Sequence, residues 1–203
     1  MAVLLHARAT SLDAEAFASL YQLATINVMS GYLGPHAYRI LAQIFPLPHH
    51  EHSYDVTTFA VLGGVPVGLL MIHSGASHEA ARRTLMLYAR YGFVGLLRSL
   101  PTILKLRPLS TVTGLVPHDA YYIKGLAVAP DHRRKGIAGE LMQAAESLVA
   151  REGCTRVLLD VRTINASAVA FYHSCGYKTI AETPSITHKG QVIGFLRMEK
   201  VID

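Results

Sequence analysis

The stretch "HRRKGIAGEL", residues 132–141, places three adjacent cations directly before an apolar helical pattern. Like charges in a row repel one another, and at a helix N-terminus they also oppose the macrodipole, which favours negative charge there. The pattern therefore predicts an anion at this point, either a carboxylate of the chain or a phosphate of a ligand. A solvated cluster of surface charges is the simpler alternative, because it needs no ligand.

The flanking residues favour a phosphate ligand. The apolar run "GLAVAP", residues 125–130, reads as a strand ended by proline, and the periodicity of residues 137–153 predicts a helix. A strand, a tight loop and a helix N-terminus together form an anion site, because the first backbone N–H groups of a helix lack intrahelical partners. Gly136 lets the backbone come close to a ligand. The nucleotide-binding pattern GxxxxGK[ST] is absent, so a P-loop is excluded.

This arrangement resembles the GNAT N-acetyltransferase superfamily. That family carries [Q/R]-x-x-G-x-[G/A] between a strand and a helix, followed by N-x-x-A-x-x-x-Y and G-[FY]. The resemblance covers roughly residues 119–181 and implies an enzyme that uses acetyl-CoA to acetylate a primary amine of a small molecule or peptide. The residues that match the two motifs are Arg133, Gly136 and Ala138, then Asn165, Ala168, Tyr172, Gly176 and Tyr177.

The fold expected is α/β, with a GNAT-like mixed and mostly antiparallel central sheet flanked by helices. Residues 1–203 are expected to form a single acetyltransferase domain, with a helical insertion at about 75–116 between the third and fourth strands. The sequence pattern predicts helices on both faces of the sheet. The predicted elements before the insertion are a strand within 1–10, helices over 12–33 and 36–45, and a hairpin with strands near 54–61 and 65–73. Those after it are strands over 120–130 and 155–162, helices over 137–153 and 165–176, and closing strands over 177–183 and 191–200.

The resemblance also implies roles for individual residues. Backbone groups of β-strand residues would bind the pantetheine arm of acetyl-CoA, backbone N–H groups of the loop would hold the pyrophosphate, and the loop cations would reach the 3′-phosphate. Tyr172 is implied as the general acid that protonates the leaving thiolate, and a half-buried core tyrosine is the alternative. Asn165 is implied as a contact of the cofactor arm, and its pattern also fits a helix N-cap. The cofactor-binding residues expected are Leu126, Ala127, Val128, Arg133, Arg134, Lys135, Gly136, Ile137, Ala138, Gly139 and Asn165.

The general base is left open by the sequence. An alkyl amine is mostly protonated at neutral pH, so a group must remove its proton before it attacks. Many family members carry a glutamate on the strand before the loop, but this chain has no carboxylate between Tyr121 and Pro130. The alternatives are Asp119, Asp160, Glu51 or a histidine acting through ordered water. A non-catalytic acyl-CoA-binding regulatory module that has lost the base is the second functional hypothesis.

Composition excludes several other classes of protein. The chain is 51% hydrophobic and 16% charged, which is enough apolar material for a packed core. Cys154 and Cys175 show no CxxC spacing, and "HHEH" at 49–52 has no further spaced ligands, so no metal site is expected. The N-terminal residues lack the pattern of a signal peptide, and a cytoplasmic location is therefore expected.

The expected insertion is strongly basic. Residues 79–107 contain six cations and one acidic residue, a net charge of +5, which equals the formal charge of the whole chain. Its uncharged runs are too short for a transmembrane span, and its arginines do not separate cleanly onto one helical face. We therefore expect a lid over the acceptor site or a homodimer contact. Stable membrane insertion and nucleic-acid binding are not expected, and contact with a membrane surface is the weaker alternative.

Overall fold

The computed structural model describes residues 2–25, 28–75, 78–109, 116–188 and 190–202. In these ranges, the α-helices are α1 (Ser11–Thr25), α2 (Val28–Leu33), α3 (Ala37–Ile44), α4 (His78–Leu106), α5 (Ile137–Arg151) and α6 (Ala166–Ser174). The strands are β1 (Val3–His6), β2 (Thr57–Leu62), β3 (Val65–Ser74), β4 (Ala120–Val128), β5 (Arg156–Arg162), β6 (Lys178–Glu182), β7 (Ile186–His188), β8 (Gln191–Ile193) and β9 (Phe195–Val201).

Among the described residues, seven strands form one sheet in the order β1-β2-β3-β4-β5-β9-β6, and β7 and β8 form a separate hairpin. Within the large sheet, β4 and β5 pair in parallel, and the other neighbouring strands pair antiparallel. The mixed, mostly antiparallel sheet expected from the sequence is therefore confirmed.

Helices cover both faces of the sheet, as expected. On one face, α1 and α3 bury apolar side chains such as Phe17 and Ile44 against Leu69 of β3. On the other face, α5 packs so closely that a Cβ placed on Gly68 would lie 3.1 Å from the side chain of Ile137. Gly68 thus permits the close helix–sheet contact that holds the start of α5 beside the sheet.

The parallel strands β4 and β5 separate towards the carboxyl end of β4. Their pairing runs from Ala120 opposite Arg156 to Ile123 opposite Leu159 and stops there, although both strands continue. On its other edge β4 stays paired with β3, with a register shift that leaves Lys124 as the extra residue. A bulge of this kind bends a strand locally. The result is a wedge between the ends of β4 and β5.

The expected helical insertion is confirmed, and its described part is the long helix α4. This helix contains Pro101 and is kinked at Gly92, whose φ of −133° and ψ of 26° are not helical. It packs tightly on α2, because a Cβ at Gly95 would lie 2.3 Å from the carbonyl oxygen of Leu33. Residues 76–77 and 110–115 of the expected insertion lie outside the described residues. The helices that are described include none with the length and apolar character needed to cross a membrane.

The helix predicted over 12–33 corresponds to α1 and α2, and residues 26–27 lie outside the described part of the chain. One sequence prediction of element bounds was wrong. The strand predicted over 191–200 is divided at Gly194 into β8 and β9. The carbonyl of Gly194 accepts a hydrogen bond from the backbone N–H of Thr163, 3.0 Å away, so this residue bonds to a loop instead of continuing the strand.

Candidate active site

The loop between β4 and α5 has a backbone shaped by two left-handed residues. Arg134 has φ of 58° and Gly136 has φ of 82°, and Gly136 is the residue at the N-terminus of α5. Left-handed residues in a turn allow successive N–H groups to point to the same side, which makes a concavity suited to anions. A Cβ on Gly136 would meet no atom within 4 Å, so the space beside the helix N-terminus is open. These features fit a phosphate group.

Basic side chains surround this open space. An open concavity of about 710 Å³ is lined by Pro130, Asp131, Arg133, Arg134 and Lys135. The Nε of Arg133 donates to the carbonyl oxygen of Val128 at 3.0 Å, and the Nζ of Lys135 donates to the carbonyl oxygen of Asp131 at 2.8 Å. Arg133 therefore connects the end of β4 to the loop, and its charge lies at the mouth of the wedge between β4 and β5.

Asn165 caps helix α6, as its sequence pattern predicts. Its Oδ1 accepts hydrogen bonds from the backbone N–H of Ala168 at 3.3 Å and from the hydroxyl of Ser167 at 3.1 Å. These bonds satisfy a donor that the first turn of a helix leaves unpaired. The contact of Asn165 with a cofactor arm stays a prediction.

Tyr172 lies on α6 with its side chain half-buried. Its ring is 5.5 Å from that of Phe171 and 6.1 Å from that of Tyr177, measured between centroids. Burial raises the pKa of Tyr172 to about 12. The phenol is therefore protonated at neutral pH. A general acid requires this state, but a structural tyrosine in the core would have it too.

A second polar group, which we call the Glu51 cluster, consists of Glu51, His73 and Lys124. The Oε2 of Glu51 is 3.1 Å from the Nζ of Lys124, and its Oε1 is 3.9 Å from the Nε2 of His73. Burial alone would raise the pKa of Glu51, but the charge of Lys124 holds that pKa below its ordinary value. Because Lys124 is the bulged residue of β4, the cluster lies where β4 and β5 begin to separate.

The protonation of His73 follows from its neighbours. Its Nδ1 is 3.3 Å from the carbonyl oxygen of Ser74, and a carbonyl only accepts, so Nδ1 carries the proton of the neutral ring. The lone pair is then on Nε2, which is buried and has no hydrogen-bond partner within the described residues. Burial, and next the charge of Lys124, lower the pKa of His73. The cluster thus presents a free imidazole lone pair next to a carboxylate.

His50 and His52, which flank Glu51 in "HHEH", have structural partners. The Nε2 of His52 lies 3.0 Å from the hydroxyl of Tyr21 on α1, and the hydroxyl of Tyr88 on α4 lies 3.1 Å from its Nδ1. The Nε2 of His50 is 2.9 Å from the carbonyl oxygen of Ile44. Both rings are buried, and they connect the loop before β2 to the surrounding helices.

The remaining carboxylates considered from the sequence have strong basic partners. Asp160 forms a buried bidentate pair with Arg197, with distances of 2.9 and 2.8 Å, and also accepts from the hydroxyl of Tyr122 at 2.9 Å. Asp119 is 3.4 Å from the guanidinium of Arg156. Both carboxylate oxygens of Asp160 are therefore already bonded within the fold, to Arg197 and Tyr122. Sequence reasoning named Glu51 among four alternatives and did not single out His73.

A wedge between parallel strands with an anion-binding loop at its mouth fits the acyl-donor site that the sequence resemblance implies. The model of the acetyltransferase (GNAT) family matches residues 18–177, and the chain belongs to this family. Acetyl-CoA is accordingly its acyl donor, as the sequence predicts.

Comparisons with individual proteins agree with this assignment. Human N-acetyltransferase 8 is 38% identical over 58 residues, which are 29% of this chain and 26% of that protein. An N-acetyltransferase from Staphylococcus aureus superposes with a TM-score of 0.66 and 16% identity, over 98% of this chain and 100% of that one. The PaiA N-acetyltransferase of Thermoplasma acidophilum, crystallised with coenzyme A, gives a TM-score of 0.55 and 12% identity over 99% of each chain. At these identities the structural matches show that the fold is shared, and nothing more.

Proposed function

We propose that residues 1–203 form one acetyltransferase domain that moves the acetyl group of acetyl-CoA to a primary amine. The observation that carries this proposal is the separation of β4 from β5 beyond Ile123 and Leu159, with the Glu51 cluster at its origin and an anion-binding loop at its mouth. The three relatives described above are named as N-acetyltransferases, which supports an amine as the acceptor.

On the donor side, the chain supplies backbone groups and cations. The end of β4, from Leu126 to Val128, is paired with β3 on one edge and free of β5 on the other, so its second edge can bind the amides of the pantetheine arm. Backbone N–H groups from Arg133 to Gly139 would hold the pyrophosphate. The side chain of Arg134 is exposed beside the loop, which leaves it accessible to a 3′-phosphate.

On the acceptor side, the Glu51 cluster would hold and deprotonate the amine. A carboxylate binds an ammonium group well, and the Nε2 lone pair of His73, 3.9 Å from that carboxylate, would take one proton from it before the nitrogen attacks. Tyr172 would give its phenolic proton to the departing thiolate. Acetyl-CoA supplies the activated acetyl group, and its C–S bond breaks as the new N–C bond forms. The nitrogen loses two protons in all, of which one is matched by the proton that the thiolate gains and the other goes to solvent.

The experiment that tests the function is a screen for thiol release from acetyl-CoA over polyamines, amino acids, aminoglycosides and peptide N-termini. With an acceptor in hand, His73→Gln is expected to lower kcat by about 10²–10⁴, the range for loss of a general base. His6→Gln is the control, because His6 is exposed on β1. His73→Gln with an unchanged kcat would show that the proton leaves by another route.

The non-catalytic alternative makes a different prediction in the same screen. A binding module would be stabilised by acetyl-CoA and would release no thiol with any acceptor. The stabilisation is expected for the enzyme as well, about 2.7 kcal/mol at a hundredfold excess over Kd. Thiol release above the rate of hydrolysis is therefore the deciding measurement.

A further inference from the structure

Helix α4 exposes an unusual amount of apolar surface. After the kink at Gly92, we define the outer stripe as four side chains, Phe93, Leu97, Leu100 and Leu104, which are 57%, 48%, 46% and 66% exposed. They follow one another at intervals of four, three and four residues, so they lie on one side of the helix. Solitary exposed leucines are ordinary on protein surfaces, but a continuous stripe indicates a contact.

The opposite side of α4 is already occupied. Thr84 is buried, and Gly92 and Gly95 lie against α2 and α3, where a Cβ on Gly92 would be 3.0 Å from the side chain of Ile40. The helix therefore contacts the domain through its inner side, and the outer stripe, which faces away from the core, does not take part in that contact.

Basic residues border the outer stripe. Arg98 and Lys105 are exposed and seven residues apart, so they lie on the same flank of the helix. Arg90 is exposed as well, with its guanidinium 5.8 Å from the ring of Tyr91. Long basic side chains beside an apolar stripe are typical of helices that lie in a lipid headgroup layer.

From this charge pattern we propose that the outer stripe of α4 binds the surface of an anionic phospholipid membrane. A second copy of the chain is the main competing occupant, but an antiparallel pair centred on the stripe would place the basic flanks of both copies on the same side, and like charges repel. An anionic surface is complementary to the flank and accepts the stripe between its headgroups. The association is peripheral and leaves the rest of the fold unchanged. It is independent of the proposed acceptor chemistry.

The test is co-sedimentation of the full chain with vesicles of phosphatidylcholine alone and with roughly 30 mol% phosphatidylserine. We expect binding to the anionic vesicles and weak binding to the neutral ones. The double variant Arg98→Gln with Lys105→Gln should lower the partition coefficient by about 25-fold, since each cation near such a surface contributes about fivefold. Arg151→Gln, an exposed cation at the end of α5, is the control for charge.

The apolar part is tested by Leu97→Gln with Leu104→Gln, which should weaken binding by about tenfold or more. The control is Leu12→Gln, since Leu12 is 77% exposed on α1. Equal binding to both vesicle types, or binding to neither, would overturn the proposal. So would a leucine variant that binds anionic vesicles normally, which would indicate a purely electrostatic contact. A concentration-dependent dimer abolished by the leucine variant, without vesicle binding, would assign the stripe to a second copy.

Discussion

Buried histidines in the loop before β2 should make the domain sensitive to mild acid. His52 is 2% exposed and sits between the hydroxyls of Tyr21 and Tyr88. Burial, and next the charge of Lys124, hold the pKa of His52 well below its ordinary value. The folded state therefore leaves this ring neutral at a pH where the unfolded chain binds a proton.

The sign and size of the effect follow from linkage. The unfolded ring has a pKa near 6.5, so the unfolded state gains protons as the pH falls below that value, and the free energy of unfolding decreases. Between pH 7.5 and 5.5, a histidine that stays neutral in the folded state costs about 1.4 kcal/mol. His50, whose pKa is also lowered by burial, adds a smaller loss. Glu51 contributes little in this window, because an unfolded glutamate titrates near 4.3.

The assay is urea unfolding of the wild type and of His52→Gln at about pH 7.5 and 5.5, the window set by the unfolded histidine pKa. The variant should be less stable at the higher pH, because it loses contacts to two tyrosines. Its further loss on acidification should be smaller than that of the wild type by about 1.4 kcal/mol. His6→Gln, at an exposed position on β1, should keep the wild-type difference. If His52→Gln loses as much stability on acidification as the wild type, the neutral buried ring is refuted.

Three further outcomes are expected. Gly136→Ala and Gly153→Ala should each lower the free energy of unfolding by about 1–2 kcal/mol, because both glycines have positive φ and neither is crowded by neighbouring atoms. Only Gly136→Ala should weaken CoA binding in calorimetry, by about tenfold for one lost bond to phosphate. Tyr172→Phe should lower kcat by about 10²-fold with an authentic acceptor while CoA affinity stays constant, and an unchanged kcat would remove the acid role. Arg197→Met should destabilise the fold by about 3–5 kcal/mol in urea unfolding, since it leaves Asp160 buried without its counter-ion; Asp160→Asn with Arg197→Met should recover part of that loss.

The loop between β4 and α5 was predictable because its signals are local. Gly136 and the cations stand between a strand ended by proline and a periodic helix, so the sequence alone locates the helix N-terminus. The cap formed by Asn165 is local in the same way, since its bond to Ala168 spans three residues. Features of this kind depend on a few neighbouring residues, so they can be predicted without knowledge of the tertiary structure.

The Glu51 cluster was not predictable in the same way. Glu51, His73 and Lys124 come from a loop and two strands, and the sequence gives no spacing rule that joins them. Their approach depends on the pairing of β3 with β4 and on the bulge at Lys124. The lowered pKa of His73 depends further on its burial and on the charge of Lys124, and both exist only in the folded chain. Where a site is built by strand register, the sequence offers candidates and the fold selects among them.

The two sides of α4 determine how its role can be tested. The inner side supplies the Thr84 hydroxyl, which accepts from the backbone N–H of Glu51 at 3.0 Å, and the Tyr88 hydroxyl beside His52. Deleting the helix would therefore disturb the acceptor side and the buried histidine together with any surface contact. Loss of activity in such a deletion would not distinguish a lid from a membrane contact or from simple collapse of the loop. Substitutions confined to the outer stripe, such as those at Leu97 and Leu104, leave the inner side intact, so a change in their lipid binding reports on the surface alone.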